Sequence, residues 1–148
     1  MSIPEEVRQA IAGLPVIGAW NPMFPFLTIG ADGFPHVCLL SRAELDTDGE
    51  YVFAVLASHG PIGNVERAGT ATLMVVGQEA ALYAKLVVRK RFEDDDRRGF
   101  VLAPDSIRRD TLHIPLRSPG YLATAAVAAS EKWDRTARLL ARMAATDN

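Results

Sequence analysis

Two apolar, β-prone runs face each other across an aspartyl-glycine pair. Phe24-Pro25-Phe26-Leu27-Thr28-Ile29-Gly30 precedes Ala31-Asp32-Gly33, and Phe34-Pro35-His36-Val37-Cys38-Leu39-Leu40 follows it. This pattern predicts an antiparallel hairpin, because glycine takes the positive φ that a tight turn between twisted strands demands. Pro25 and Pro35 have no N–H to give to a neighbouring strand. Each therefore belongs at a strand start or on a sheet edge. An edge beside a run this apolar must be closed, covered or paired with another chain.

The rest of the chain supplies partners for that hairpin. Asp46-Thr47-Asp48-Gly49 is a second turn leading into Tyr51 to Ala57, a run apolar on both faces and so expected centrally in a sheet. Ser58 to Gly63 then precedes a single short helix over Asn64 to Ala68. Thr70 to Val76 reads as a strand, turned by Gly77-Gln78-Glu79 into a long strand from Ala80 to Phe92. Glu93 to Arg98 reads as a charged, solvated loop. A last strand, Phe100 to Leu102 and Ser106 to Arg108, is expected to break at Pro104, and the chain from Asp110 to Gly120 to be irregular.

Helices bracket this β region. Ser2-Ile3-Pro4-Glu5 fits a capping box for a helix from about Ile3 to Ala12, stopped by Gly13. Near the other end Ser130 is placed to cap a helix whose apolar stripe is Trp133, Ala137, Leu140, Ala141 and Ala144. The expected architecture is mainly β (α+β). It is a six-stranded antiparallel barrel with N-terminal, inter-strand and C-terminal helices, in one domain over 1–148. The barrel runs from about 24 to 110 and the last helix from about 128 to 146.

Composition narrows the function classes. With 148 residues, 49% hydrophobic and 23% charged, the chain can build a full core without staples. A formal net charge of −2 argues against a nucleic-acid partner, which selects for a basic excess. No run approaches the roughly 18 apolar residues of a membrane span. The first residues lack the long apolar run of a secretory leader, and the single cysteine, Cys38, cannot close an internal disulfide. A cytoplasmic location is the expectation. His36, His59 and His113 have no ligand-like spacing, so no metal site is expected. No acid–base pair or nucleophile motif stands out, and catalytic residues stay unassigned.

The stretch from Phe26 to about Val88 resembles the pyridoxamine 5′-phosphate oxidase-related split barrels, which bind FMN. The resemblance rests on Asp32-Gly33-Phe34-Pro35-His36, on the apolar strand Tyr51 to Ala57, and on Ser58 to Leu73. It implies a homodimer with FMN in grooves at the subunit interface. It also implies cofactor contacts from Leu40, Ser41 and Arg42 at the end of one strand, and from Leu56, Ser58, His59 and Asn64 around the short helix. The activity implied is that of a flavin-dependent oxidoreductase of unknown substrate. The alternative is a non-catalytic cofactor-binding or sensor module on the same barrel, holding FMN, coenzyme F420, haem or nothing.

Elementary chemistry supports part of this picture. A phosphate needs donors aimed at it, and free N–H groups at a helix start supply them with help from the macrodipole. Ser58-His59-Gly60 precedes the short helix, Gly60 and Gly63 allow close backbone approach, and Arg42 offers a planar fork. The simpler reading is that Ser58 only caps, His59 is solvated, and Arg42 pairs with Glu44 or Glu50. The sequence also departs from the family. Where many flavin-binding members carry Lys or Arg after this strand, Gly60, Pro61, Ile62 and Gly63 stand here. The charge would have to come from Arg42, Arg67 or an arginine near the C-terminus.

Overall fold

The computed structural model describes residues 1–148. The elements run α1 (Glu5–Ile11), β1 (Trp20–Pro22), β2 (Phe24–Ile29), β3 (Pro35–Leu40), β4 (Leu45–Thr47), β5 (Val52–Leu56), α2 (His59–Ala68), β6 (Thr70–Val76), β7 (Ala80–Asp94), β8 (Arg97–Thr111), β9 (Gly120–Leu122), α3 (Ala125–Ser130) and α4 (Trp133–Ala145). Seven strands form one antiparallel sheet in the order β3-β2-β6-β7-β8-β5-β4. β1 and β9 form a separate two-stranded ribbon. The expected six strands are thus seven plus a ribbon, because the short β4 adds an edge and β1 pairs with the otherwise irregular chain near Gly120.

The sheet must curl. Its two edges, β3 and β4, are joined in sequence by only Ser41 to Glu44. At about 3.5 Å per residue, that connection reaches no more than roughly 18 Å. The sheet therefore rolls into a barrel, split between β3 and β4. Its interior is filled by inward residues of every long strand, among them Phe24, Phe26, Leu73, Leu86, Phe100 and Leu102. α1 adds Val7 and Ile11 to this core, and α2 adds Ile62 and Val65.

The hairpin forms as expected, with Ile29 opposite Pro35 and Phe24 opposite Leu40. Gly33 takes φ +83°, and the Phe34 amide donates to Asp32 Oδ1 at 3.0 Å. Pro35 opens an edge strand, where its missing N–H is harmless. β6 spans the residues its alternation predicts. β5 is buried on both faces although it lies next to the edge. The reason is a second core outside the barrel, where Phe53, Val55 and Val101 pack against Leu139, Leu140 and Met143 of α4.

Several local expectations are corrected. α2 begins at His59, five residues early, with Pro61 in its first turn; those positions have no intrahelical acceptor for their N–H groups, so proline is tolerated there. β8 runs unbroken through Pro104, since register shifts beside it absorb the missing donor. Glu93 to Arg98 is the tip of the β7–β8 hairpin. Arg135 of α4 binds Asp94 (3.2 Å) and Asp95 (3.3 Å) there. α1 starts at Glu5 and has no side-chain cap, so Ser2 forms no capping box.

The C-terminal helix is two helices. Thr124 caps α3 by accepting from the Val127 amide at 3.1 Å, and Lys132 in the left-handed region starts α4; Ser130 does not cap it. The buried face of α4 is Thr136, Leu139, Leu140 and Met143, rotated from the expected stripe. Gly99 lets this helix approach, for a Cβ there would lie 2.5 Å from Met143 Sδ.

Candidate functional site

The seven residues singled out as cofactor contacts come from two segments at the barrel's split. The Ser41–Glu44 loop lies beside the end of β5, because the Val55 amide donates to the Glu44 carbonyl at 2.8 Å. α2 starts three residues after Leu56. Most of these side chains are already engaged.

Leu40 and Leu56 are core residues inside the barrel. Ser41 is buried and turned on Glu44. Its amide donates to Glu44 Oε2 at 3.0 Å, its hydroxyl donates to the same oxygen, and its Oγ accepts from the Ala43 amide at 3.1 Å. Arg42 donates through Nε to the Ala10 carbonyl at 2.7 Å, a cation placed at the end of α1. It pairs with neither Glu44 nor Glu50, and it lines a small cleft against α1 and α4 with Gly13, Asp46 and Leu140. Asn64 is buried between α2 and β2. Its Nδ2 donates to Thr28 Oγ1 at 3.0 Å, and its Oδ1 accepts from Arg67 at 2.9 Å. Arg67 also reaches the Ile29 carbonyl at 2.6 Å. Ser58 and His59 alone are exposed and free; Ser58 makes no side-chain cap, and nothing in the chain closes on Gly60 or Gly63.

The electrostatics of this loop oppose a phosphate. Burial pushes the Glu44 carboxyl above its usual range, against the opposing hydrogen bonds from Ser41. Donors that could meet an anion are thus spent on a carboxyl group of this chain. Tyr121 of β9 comes close enough to feel Glu44 and Arg42; its hydroxyl is buried without a hydrogen-bond partner, and burial pushes its pKa above the ordinary value, so it stays protonated. The Cys38 thiol is also pushed up, first by burial and then by Glu44, so it stays protonated and unreactive. The proposed substitute cations are occupied too. Arg67 holds α2 to β2, Arg135 holds the hairpin tip, and Arg142 donates to the Glu93 carbonyl at 2.9 Å.

Sequence reading missed the outer face of the sheet. Register places Leu27, Thr72, Lys85 and Ser106 in one row across four strands. Leu27, Ile29, Thr70, Thr72, Lys85 and Val87 line a groove of about 400 Å³ on this face, with Asp105 at its side. Lys85 makes no ion pair. Ile29, Val37 and Leu39 are 46%, 55% and 50% exposed on the same face. The period-2 alternation held this information, for β3 is apolar on the side its pairing turns outward. No cluster of three or more His, Cys, Asp or Glu side chains is placed to hold a metal ion. No helix is long and apolar enough to cross a membrane.

A seven-stranded antiparallel sheet rolled on itself, split at β3 and β4 and stoppered by helices, is a known arrangement. The fold is the split barrel. An F420 reductase matches it with a TM-score of 0.57 at 14% identity, over 72% of this chain and 98% of that one. The flavin reductase of styrene monooxygenase from Pseudomonas putida S12 matches with a TM-score of 0.53 at 11% identity, over 69% and 91%. A protein related to general stress protein 26, of the pyridoxinephosphate oxidase family, from Clostridium acetobutylicum, matches with a TM-score of 0.52 at 13% identity, over 69% and 86%. No family model matches the sequence, and no curated protein does.

Proposed function

We propose that this split barrel is a homodimeric flavin-binding protein, with FMN held between two copies and an oxidoreductase role for the bound ring. The observation that carries the reading is the apolar outer face of β2 and β3. An isologous dimer would bury Ile29, Val37 and Leu39 and close the exposed β3 edge. A flavin supplies hydride and electron chemistry by itself, which suits a chain with no acid–base pair in view. The residues around it would bind and orient. Ser58 and His59 remain free to meet a ligand, and Leu40, Ser41, Arg42, Leu56 and Asn64 hold the loop and helix that present them. Lys85, flanked in register by Thr72 and Ser106, offers the free cation that the segment after β5 lacks. The names of the flavin reductase and the F420 reductase support a flavin-type ligand.

A second reading has its own observation. Ser41 and Arg42 are consumed by partners within the chain, and Glu44 lies half-buried beside them. A barrel so arranged serves as a non-catalytic module for FMN, F420 or haem, or as an interaction protein. Purified protein should absorb near 375 and 450 nm, roughly, if the ring is bound, and sediment at twice its 16.1 kDa. A colourless monomer that ignores added FMN would overturn the proposal. A coloured dimer whose flavin no reductant bleaches would favour the second reading.

A further inference from the structure

The β1–β9 ribbon carries a feature that the barrel does not explain. Trp20 is 75% exposed, opposite the half-exposed Leu122. Leaving an indole in water forfeits the favourable burial of one of the largest apolar side chains. The backbone beneath it is shaped to carry it. A Cβ on Gly120 would lie 2.9 Å from the Asn21 carbonyl oxygen, so glycine lets β9 close on β1 beside the indole.

Beside that ring lies a cleft of about 640 Å³, lined by Trp20, Asn21, Pro22, Arg117, Ser118 and Gly120. Its volume falls within the usual range for small-ligand sites. No carboxylate lines it. Arg117 is exposed and forms no ion pair, unlike Arg91, Arg98, Arg109 and Arg135. The walls are locked. Asn21 is buried, accepting from the Val16 amide at 2.8 Å and donating to the carbonyls of Val16 and Ala19 at 2.9 Å each. The Met23 amide donates to the Pro119 carbonyl at 2.7 Å, and the Ser118 hydroxyl to the Met23 carbonyl at 3.2 Å. Such walls lose little freedom when a ligand arrives.

We infer that this cleft binds a planar aromatic ring carrying a phosphate or carboxylate, with the Trp20 indole as the stacking platform and the Arg117 guanidinium as the anion clamp. An aromatic face and a planar fork recognise such a molecule together: the ring stacks, and two N–H groups meet two anion oxygens. Trp and Arg are also the residues most often found at the energetic centre of binding surfaces. The site is separate from the outer sheet groove and stands whether or not FMN binds there.

The chain has two tryptophans, Trp20 and Trp133, so its indole N–H groups give two resolvable NMR signals. Trp133 packs edge-on against Tyr121 and serves as the internal control. Titration with 1-naphthyl phosphate should shift the Trp20 signal saturably and leave Trp133 in place. Neutral 1-naphthol should bind at least tenfold more weakly. Arg117→Ala should erase that difference, and Trp20→Leu should weaken both probes while the fold, read by far-UV circular dichroism, stays intact. An unmoved Trp20 signal would overturn the inference. So would equal affinity of the two probes, unchanged binding in Arg117→Ala, or a Trp20 shielded from acrylamide quenching because a second copy covers it.

Discussion

Replacing Asn64 by alanine separates a structural role from a ligand role at the position most plainly aimed at neither solvent nor cofactor. The amide bridges α2 to β2 through Thr28 Oγ1 at 3.0 Å, and Thr28 is only 2% exposed. Removing Asn64 loses a neutral hydrogen bond worth about 1 kcal/mol and leaves the Thr28 hydroxyl buried and unpaired, at about 1–3 kcal/mol. Arg67 also loses its contact with Asn64, but it is exposed and keeps the Ile29 carbonyl, so it rehydrates and adds little. The expected loss is about 2–4 kcal/mol. At about 2–4 °C per kcal/mol in a domain of this size, Tm falls by roughly 4–16 °C. Urea denaturation of Asn64→Ala, Thr28→Val and the double variant tests the origin of the loss. With both partners apolar no hydroxyl is stranded, so the cycle should show coupling of at least about 1 kcal/mol. Additive effects, or a loss under about 0.5 kcal/mol in Asn64→Ala, would refute the bridge.

Other expectations follow from the same packing. Gly99→Ala should cost about 1–2 kcal/mol by pushing a methyl against Met143, and the same substitution should cost less in a Met143→Ala background, where the clash is gone; a Gly99→Ala protein as stable as the native chain would contradict the packing. Glu44 is protonated more readily in the folded chain than in the unfolded one, because it is buried. Its ionisation therefore destabilises the fold only above the ordinary value of 4.5, increasingly as pH rises through the folded value. Glu44→Gln keeps an acceptor for Ser41, so its stability relative to the native chain should rise from acid towards neutral pH and then level off. A flat or reversed profile in urea titrations would exclude this. Leu39→Arg places a charge on the proposed subunit face and should weaken self-association more than tenfold without altering circular dichroism; sedimentation at unchanged mass would remove β3 from the interface.

How much of this was legible in advance depended on the range of the interaction. Strand β6 and the Asp32-Gly33 hairpin were readable because alternation and a positive-φ turn are properties of neighbouring residues. α2 starts earlier than its local pattern suggests, because glycine and proline are poor helix formers away from a helix's first turn. In a helix's first turn, proline gives up an N–H that has no partner there. The α4 stripe was rotated because its sequence offers more than one apolar face, and the face chosen is the one that Phe53, Val55 and Val101 leave open. For the candidate site, the residue types were visible, but not their prior engagements. Nothing local says that Glu44 turns back on Ser41, that Arg42 reaches α1, or that Asn64 spans to Thr28, a residue 36 positions away.

The amino-acid order by itself determined the antiparallel β architecture and the bracketing helices, since periodicity and turn chemistry act over a few residues. Tertiary structure alone decided that the sheet rolls into a barrel split between β3 and β4, that Pro104 sits in an unbroken strand, and which polar side chains are left free. Those outcomes depend on contacts between residues far apart in the chain, where donors and apolar faces compete for partners that no local pattern names.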